Sequence, residues 1–171
     1  MKRSLSVIVP IFFCGCLYAQ HYSKPNLEQL RTIASDIREA MIKQAYQQVL
    51  RYDLPQLRAE HSRDLEDKNS DLYCYLIGDG CLSKTKYASI HSQFNSMKKV
   101  SFTVKRMSRS EYVLIFFDSE RYRESTVLRT SFLCTHANAG TPVWTFEWNE
   151  DHWQALHPVF DSEVDAFCGS E

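Results

Sequence analysis

The sequence lacks an excess of charge of either sign. Its 20 Lys and Arg residues stand against 21 Asp and Glu residues, which gives a formal net charge of -1. The chain therefore has no overall basic field to attract nucleic acid, and we expect no nucleic-acid partner. It also lacks the high charge and low hydrophobicity of disordered chains. With 171 residues, of which 44% are hydrophobic, it can form one domain with a real core.

Short catalytic and metal-binding motifs are missing as well. The sequence contains no Gly-x-Ser-x-Gly, no His-Glu-x-x-His, no Gly-rich phosphate-binding loop and no Cys-x-x-Cys pair. Polar candidates without a diagnostic spacing remain on the predicted helices and strands. They are His61, His91, His136, His152, His157, Tyr112 and Asp118. The sequence therefore assigns no catalytic residue, metal or cofactor, and it favours a protein that is not an enzyme.

No hydrophobic run reaches the ~20 residues that a transmembrane helix needs. The chain begins instead with a basic segment at residues 1–3 and a short apolar run at residues 5–13, followed by small residues up to Ala19. This order is typical of a secretory signal peptide, whereas a buried N-terminal strand or helix would leave the basic start unexplained. We predict that residues 1–19 are removed and that residues 20–171 fold as a single domain in the periplasm or outside the cell.

A lipid anchor is the alternative to simple cleavage. Residues 13–16, Phe-Cys-Gly-Cys, resemble a bacterial lipobox in which Cys16 is the acylated residue. Gly15 fits this pattern, whereas Phe13 and Cys14 fit it poorly. We therefore favour cleavage after Ala19. If Cys16 is acylated, the protein is a lipoprotein that is tethered to a membrane face and not inserted into it.

Four cysteines remain in the folded part by either route. They are Cys74, Cys81, Cys134 and Cys168. In an oxidising compartment they predict two disulfides, for which the sequence alone allows several connectivities. We favour Cys74 with Cys81, which closes a small loop around residues 78–80, and then Cys134 with Cys168. A zinc site is the alternative, but the nearest histidines show no ligand spacing.

Apolar periodicity predicts helices in the first half of the chain. Asn26 is a typical N-cap for a long amphipathic helix. Its apolar positions are Leu27, Leu30, Ile33, Ile37, Met41, Ala45 and Val49. Asp53 as a cap and Pro55 in the first turn predict a second helix. A third helix is predicted to begin at Ser83 or Thr85.

From residue 100 onward the period changes to two, which is typical of strands. Residues 100–105 and 126–135 alternate, whereas residues 112–117 form a continuous apolar run that predicts a strand buried on both faces. Residues 143–148 and 153–157 predict a final hairpin. Helices followed by an antiparallel meander indicate the α+β class.

Two stretches of this pattern resemble the NTF2-like (SnoaL/ketosteroid-isomerase) superfamily. Residues 52–57 resemble the break after its first helix, and residues 144–157 resemble its closing hairpin, in which a Trp leads the last strand. The resemblance implies N-terminal helices packed on a strongly curved antiparallel sheet, a cone with a pocket at its wide end. Members use this pocket for isomerase or hydrolase chemistry or for ligand binding, and others assemble through the outer sheet face, so the fold does not determine the function.

Aromatic residues alternate on the predicted hairpin. Trp144, Phe146 and Trp148 share one sheet face, and Trp153 begins the next strand. This face is either core against the helices or an exposed surface for a partner protein or a second copy of the chain. We favour a non-catalytic exported protein that binds a protein partner, as an assembly component or as an inhibitor or immunity protein. A module for a small apolar ligand and a small isomerase or hydrolase are the alternatives.

Overall fold

The computed structural model describes residues 23–82, 88–127 and 142–158. The helices are α1 (Leu27–Ile42), a 3-10 helix (Tyr46–Tyr52), α2 (Pro55–Asp64), α3 (Asp71–Leu76), α4 (Ile90–Ser96) and α5 (Glu124–Val127). The strands are β1 (Val100–Arg106), β2 (Glu111–Asp118), β3 (Val143–Asn149) and β4 (His152–Pro158). The predicted α+β class is confirmed. The predicted signal peptide and Cys16 lie outside the described residues and stay predictions.

Helix α1 begins where the sequence predicts it. The Asn26 side chain caps it by accepting a hydrogen bond from the Gln29 amide at 3.1 Å. One face of the helix is buried. Its members are Leu30, Ile33, Ala34, Ile37, Ala40 and Met41. Because they lie three or four positions apart, they form one apolar stripe, which joins strand residues in the main hydrophobic core.

The predicted continuation of this helix to Val49 is wrong, since α1 ends at Ile42. The end is a Schellman motif, in which the Ala45 amide donates to the Ala40 carbonyl at 2.8 Å. Gln44 has the left-handed φ of 58° that this motif requires. Glycine is the usual residue at this position, so the sequence carries no visible stop signal for the helix.

Helix α2 begins at Pro55, as predicted, but Asp53 does not cap it. The N-cap position is taken by Leu54, whose side chain makes no capping bond. Asp53 ends the 3-10 helix, where its amide donates to the Leu50 carbonyl at 3.0 Å. Its carboxylate lies 2.7 Å from Nδ1 of His61. The Asp53 side chain, which the local pattern predicts as a helix cap, therefore contacts His61 instead.

A disulfide closes the loop that follows α3. Cys74 and Cys81 are bonded at an S–S distance of 1.97 Å, which is the pairing that we favoured. Gly78 and Gly80 turn the chain inside this loop with left-handed φ values of 75° and 69°. A Cβ atom at Gly78 would stand 2.6 Å from the Ser89 Cβ. Both the conformation and the close approach therefore require glycine at this position.

Helix α4 corresponds to the third predicted helix. It begins at Ile90 and is capped by Ser89, whose hydroxyl oxygen accepts from the Ser92 amide at 3.2 Å. This start is later than the predicted one at Ser83 or Thr85, and those two residues lie outside the described residues. The cap at Ser89 marks where the helix begins.

The strands form an antiparallel meander in the order β1-β2-β3-β4. The antiparallel arrangement is as predicted, but β2 pairs directly with β3, without the strand that was expected between them. Large side chains face each other across the strands, such as Phe102 with Phe116 and Leu114 with Trp144. The pairing of β3 with β4 shifts its register after Thr145. Within the described residues β1 and β4 are the two edges, so the sheet is open. The strong curvature of a cone stays a prediction.

The strand predicted over residues 126–135 is wrong at its start. Helix α5 includes Thr126 and Val127, so these two residues are helical. The remainder of that segment lies outside the described residues. Cys134 and Cys168 also lie outside them, and their pairing stays a prediction.

Strand β2 is the centre of the fold and is buried on both faces, as its continuous apolar run predicts. The residues that join the helices in the main core are Tyr112, Leu114 and Phe116. The residues that form a second cluster on the other face are Val113, Ile115 and Phe117. Because burial of one such side chain contributes roughly 1.5–3 kcal/mol, this strand makes a large contribution to stability.

Candidate functional site

The aromatic residues predicted as a partner surface lie in the core. The exposed fractions are 1% for Trp144, 0% for Phe146, 7% for Trp148 and 4% for Trp153. As the alternation on β3 predicts, Trp144, Phe146 and Trp148 share one face, and that face packs against the helices. In this chain the four rings form no exposed aromatic surface, because the helical layer needs the same face for its own burial.

Two of these rings also fasten the N-terminal segment to the sheet. The indole N–H of Trp153 donates to the Asn26 carbonyl at 2.7 Å. The indole N–H of Trp148 donates to the Ser23 carbonyl at 3.1 Å and to its hydroxyl at 3.0 Å. The polar edges of the aromatic cluster therefore hold the start of α1, and the role of the cluster is structural.

The pocket that the NTF2-like resemblance predicts would lie over the helix-facing side of the sheet. In the described residues the centre of this side is filled by Phe116, Trp144 and Phe146, which are 0% to 1% exposed. Phe116 and Trp144 pack edge to face, with ring centroids 5.5 Å apart. This part of the sheet is core.

A polar cleft of about 630 Å³ lies in the helical layer, between the 3-10 helix, α3 and α4. We call it the tyrosine cleft. Its lining residues are Gln44, Tyr46, Tyr73, Cys74, Ile77, Gly78, Asp79, Ala88, Ser89, His91, Ser92 and Asn95. Most of them carry polar side chains. The cleft therefore differs from the apolar pocket that a small apolar ligand would need.

His91 connects two of the polar side chains of the cleft. Its Nδ1 lies 2.8 Å from the Tyr46 hydroxyl, and its Nε2 lies 2.8 Å from Nδ2 of Asn95. Asn95 follows His91 by one helical turn on α4, so this contact is local. Tyr46 comes from the 3-10 helix and packs edge-on against the imidazole, with ring centroids 5.7 Å apart. Both ring nitrogens of His91 are thus engaged, and the ring holds Tyr46 in place.

Tyr46 presents a neutral phenol to the cleft. Burial raises the pKa of its hydroxyl, and the nearby Tyr73 and Asp79 raise it further. The hydroxyl therefore stays protonated at neutral pH. A neutral phenol held by a histidine is suited to binding a polar group in the cleft.

The floor of the cleft is held by covalent and hydrogen bonds. The Tyr73 hydroxyl donates to the Asp79 carbonyl at 2.6 Å, across the loop that the disulfide closes. The Ser89 hydroxyl donates to the Ile77 carbonyl at 2.8 Å. These bonds fix the lining before any ligand arrives, which lowers the entropic cost of binding.

A second histidine, His61, pairs with an aspartate where α2 meets the sheet. Nδ1 of His61 lies 2.7 Å from a carboxylate oxygen of Asp53, and the two side chains are 20% and 8% exposed. The backbone of Asp53 bridges to Ala155 on β4, and its carbonyl accepts from Nε of Arg58 at 3.0 Å. The pair therefore fastens α2 to the sheet, and we assign it a structural role.

Among the side chains that the structure describes, the other predicted polar residues do not converge on one site. Asp118 accepts backbone amides from Lys98, Lys99 and Glu120, at 3.0, 3.2 and 3.0 Å. These bonds, above all the one from Lys98, hold the pKa of its carboxyl below the usual value. Asp118 thereby ties the end of β2 to the segment before β1.

The remaining candidates are likewise dispersed. Tyr112 is buried against Trp153, with ring centroids 5.2 Å apart. His152 is half exposed. Its Nδ1 lies 2.8 Å from a carboxylate oxygen of the neighbouring Asp151. The side chains of His136 and His157 lie outside the described part of the chain. The sequence analysis named His91 as a candidate but not Tyr46. The first helix was predicted to continue through residue 46, so the turn that brings Tyr46 to His91 was not predicted.

Comparison of the chain with protein-family models, with curated proteins and with solved structures finds no match. The resemblance to the NTF2-like superfamily therefore stays a prediction. In the part of the chain that the structure describes, no three His, Cys, Asp or Glu side chains are grouped to hold a metal ion. Among the described helices, none combines the length and apolarity needed to span a bilayer.

Proposed function

We propose that the chain is an exported, non-catalytic binding protein of the periplasm or the cell exterior, and that it binds a protein partner through the tyrosine cleft. The partner segment that fits is polar, because it must offer hydrogen-bonding groups to phenol, amide and hydroxyl side chains. The function is that of an assembly component or of an inhibitor or immunity protein.

The observation that carries the proposal is the fixed position of Tyr46. His91 is held by Asn95 and in turn holds the Tyr46 hydroxyl at 2.8 Å. Antibody paratopes combine rigid tyrosines with serine and asparagine, because the ring gives contact area at low entropic cost and the small side chains adapt. The tyrosine cleft has this composition, with Tyr73 and Ser92 beside Tyr46.

Export is supported by the disulfide between Cys74 and Cys81. Such bonds persist in oxidising compartments and are rare in the cytosol. The signal-like residues 1–19 indicate the same compartment.

The alternatives have less support from the described residues. A small apolar ligand needs an apolar cavity, whereas the tyrosine cleft is mostly polar. An isomerase or hydrolase needs a convergent acid–base pair, whereas of the predicted polar candidates with described side chains only His91 lines the tyrosine cleft.

The test is native mass spectrometry on protein purified gently from its own envelope fraction, with a cleft variant and a matched control. Ser92→Arg places a long side chain at an exposed position of the cleft, and a helix tolerates Arg well. Ser125→Arg makes the same change at an exposed serine of α5 that does not line the cleft. We expect a stoichiometric partner with the wild type and with Ser125→Arg, and at least tenfold less with Ser92→Arg.

Two results would contradict the proposal. If Ser92→Arg retains the partner as well as the control does, the tyrosine cleft is not the contact surface. If the wild type carries a small molecule and no protein, the ligand-binding or enzymatic alternative replaces the proposed function.

A further inference from the structure

Among its described lining residues, the tyrosine cleft has a single carboxylate, that of Asp79. Asp79 is exposed and lies in the loop that the disulfide between Cys74 and Cys81 closes. Its backbone carbonyl accepts the Tyr73 hydroxyl at 2.6 Å. In the described part of the chain, no hydrogen bond or ion pair engages the carboxylate itself. This charge is therefore available to a ligand of the cleft.

Two phenols lie close to this carboxylate. The bond to the Asp79 carbonyl places the Tyr73 hydroxyl beside Asp79. Asp79 and Tyr73 also act on Tyr46, since both raise the pKa of its hydroxyl after burial has done so. Such an influence requires proximity, because charges at a protein surface are screened over about 10 Å. The oxygens of Tyr46, Tyr73 and Asp79 therefore border one region of the cleft.

The negative charge of this region is not balanced from within the cleft. The described lining residues include no Lys or Arg. Lys68 lies near the loop, since a Cβ atom at Gly80 would stand 3.1 Å from its Nζ. Lys68 does not line the cleft, however, and it forms no ion pair with a described carboxylate. The cleft therefore attracts a positive group and repels a carboxylate.

An organic cation with N–H donors fits this arrangement. The side chains of Lys and Arg carry three and five such donors and no acceptor, and phenol and carboxylate oxygens can accept them. A hydrogen bond between a cation and a carboxylate is stronger than one between neutral groups. Tyrosine rings also attract cations through their electron-rich faces. A neutral polar side chain would gain neither of these two contributions.

We infer that the tyrosine cleft receives a cationic side chain of the protein partner, Lys or Arg, beside Tyr46, Tyr73 and Asp79. This inference rests on the proposed function, because the cation belongs to the partner that the cleft binds. Asp79 supplies the preference for positive charge, and Tyr46 supplies a fixed ring because His91 holds it. A partner segment without a cation binds more weakly.

The first experiment extends the native mass spectrometry to a charge-matched pair of variants of the mature chain. Asp79→Asn removes the carboxylate charge and leaves the backbone carbonyl that Tyr73 binds. Asp151→Asn removes the same charge at an exposed position between β3 and β4 that does not line the cleft. We expect about tenfold less bound partner with Asp79→Asn, and no change with Asp151→Asn. Thermal unfolding verifies that each variant is folded.

The second experiment needs no partner protein. Acetylated tripeptide amides of sequence Gly-Lys-Gly, Gly-Arg-Gly and Gly-Gln-Gly are titrated into isotope-labelled protein, and NMR chemical shifts report binding. We expect the two cationic peptides to bind about fivefold more tightly than the Gln peptide. This preference should be absent in Asp79→Asn and present in Asp151→Asn.

The inference and the proposed function fail in different ways. If Ser92→Arg loses the partner but Asp79→Asn retains it as well as Asp151→Asn does, the inference is overturned and the cleft remains the contact surface. If the wild type carries no protein, the proposed function fails and the peptides decide the inference. It is then overturned if the cationic peptides bind no better than the Gln peptide, and supported if their preference depends on Asp79.

Discussion

At the scale of single residues, Tyr52 shows how one hydroxyl joins two elements. It donates to a carboxylate oxygen of Asp36 on α1 at 2.6 Å and accepts from Arg51 at 2.6 Å. Arg51 also pairs with Asp36, which completes a small triangle of polar groups. Burial, and then the bond to Asp36, raise the pKa of Tyr52 to about 12. The neutral phenol is thus the form that stabilises the junction of α1 with the 3-10 helix.

The raised pKa predicts a specific loss of stability at alkaline pH. The pKa of an unfolded tyrosine is about 10. Because the folded value is higher, the contribution of Tyr52 is fully present below pH 10 and is lost as the pH rises from about 10 to about 12. We expect the free energy of unfolding to fall more for the wild type than for Tyr52→Phe over this window, by less than about 1 kcal/mol since the group is partly exposed.

Urea unfolding at several pH values within and below this window measures the effect. Tyr73→Phe is the control, because its hydroxyl bonds a backbone carbonyl and the variant has the same number of tyrosines. If the free energy of unfolding falls equally with pH in the wild type and in Tyr52→Phe, Tyr52 is not the group responsible.

At the scale of elements, the junction after α1 holds the main departure from the predicted pattern. Gln44 occupies the left-handed position of the Schellman motif with a φ of 58°. A side chain in this conformation costs ~1–2 kcal/mol, whereas glycine adopts it freely. The turn redirects the chain so that Val49 and Leu50 are buried on the 3-10 helix. Their burial offsets the cost of the turn.

Replacing Gln44 by glycine should therefore stabilise the fold. Glycine removes the conformational cost but adds entropy to the unfolded chain, so we expect a net gain of ~0.5–1 kcal/mol in the free energy of unfolding. Urea unfolding at neutral pH measures it. The control, Gln48→Gly, makes the same substitution inside the 3-10 helix and should destabilise by up to ~1 kcal/mol. A loss of stability in both variants would contradict the argument.

Local signals in the sequence predicted several elements correctly, and for a common reason. Asn26 caps α1, Pro55 begins α2, and the alternation over residues 143–148 marks β3, because each signal acts over a few neighbouring residues. The prediction for Asp53 failed because its carboxylate pairs with His61, further along α2, instead of capping that helix, and no local rule ranks those two partners.

At the scale of the whole molecule, the disulfide restricts the unfolded chain more than it shapes the folded one. Cys74 and Cys81 are separated by seven positions. For a loop of this length, closure contributes about 2.5 kcal/mol in the chain-entropy treatment. The bond also holds the loop beneath the tyrosine cleft, since Cys74 lines the cleft and Asp79 lies within the closed loop.

Removing this bond with Cys74→Ala and Cys81→Ala should lower the free energy of unfolding by about 2.5 kcal/mol. The same variant tests the second predicted bond. If Cys134 pairs with Cys168, a reductant should destabilise the variant further, as judged by thermal unfolding with and without it. An unchanged melting curve of the variant on reduction would show that the two-disulfide prediction is wrong.

The sequence by itself determined the α+β class, the starts of α1 and α2 and the antiparallel arrangement of the strands, and it favoured the pairing of Cys74 with Cys81 among the connectivities that it allowed. These features follow from capping, from periodicity and from short loop closure, which depend on neighbours along the chain. The export signal over residues 1–19 is of the same local kind and stays a prediction.

Only the tertiary structure decided which face of a pattern is used and which distant groups meet. It placed Trp144 in the core, although alternation alone allowed an exposed face. It brought Tyr46 to His91 across 45 positions of chain, through a turn at Gln44 that carries no glycine. Such choices depend on burial summed over the whole core, which outweighs local preference by several kcal/mol.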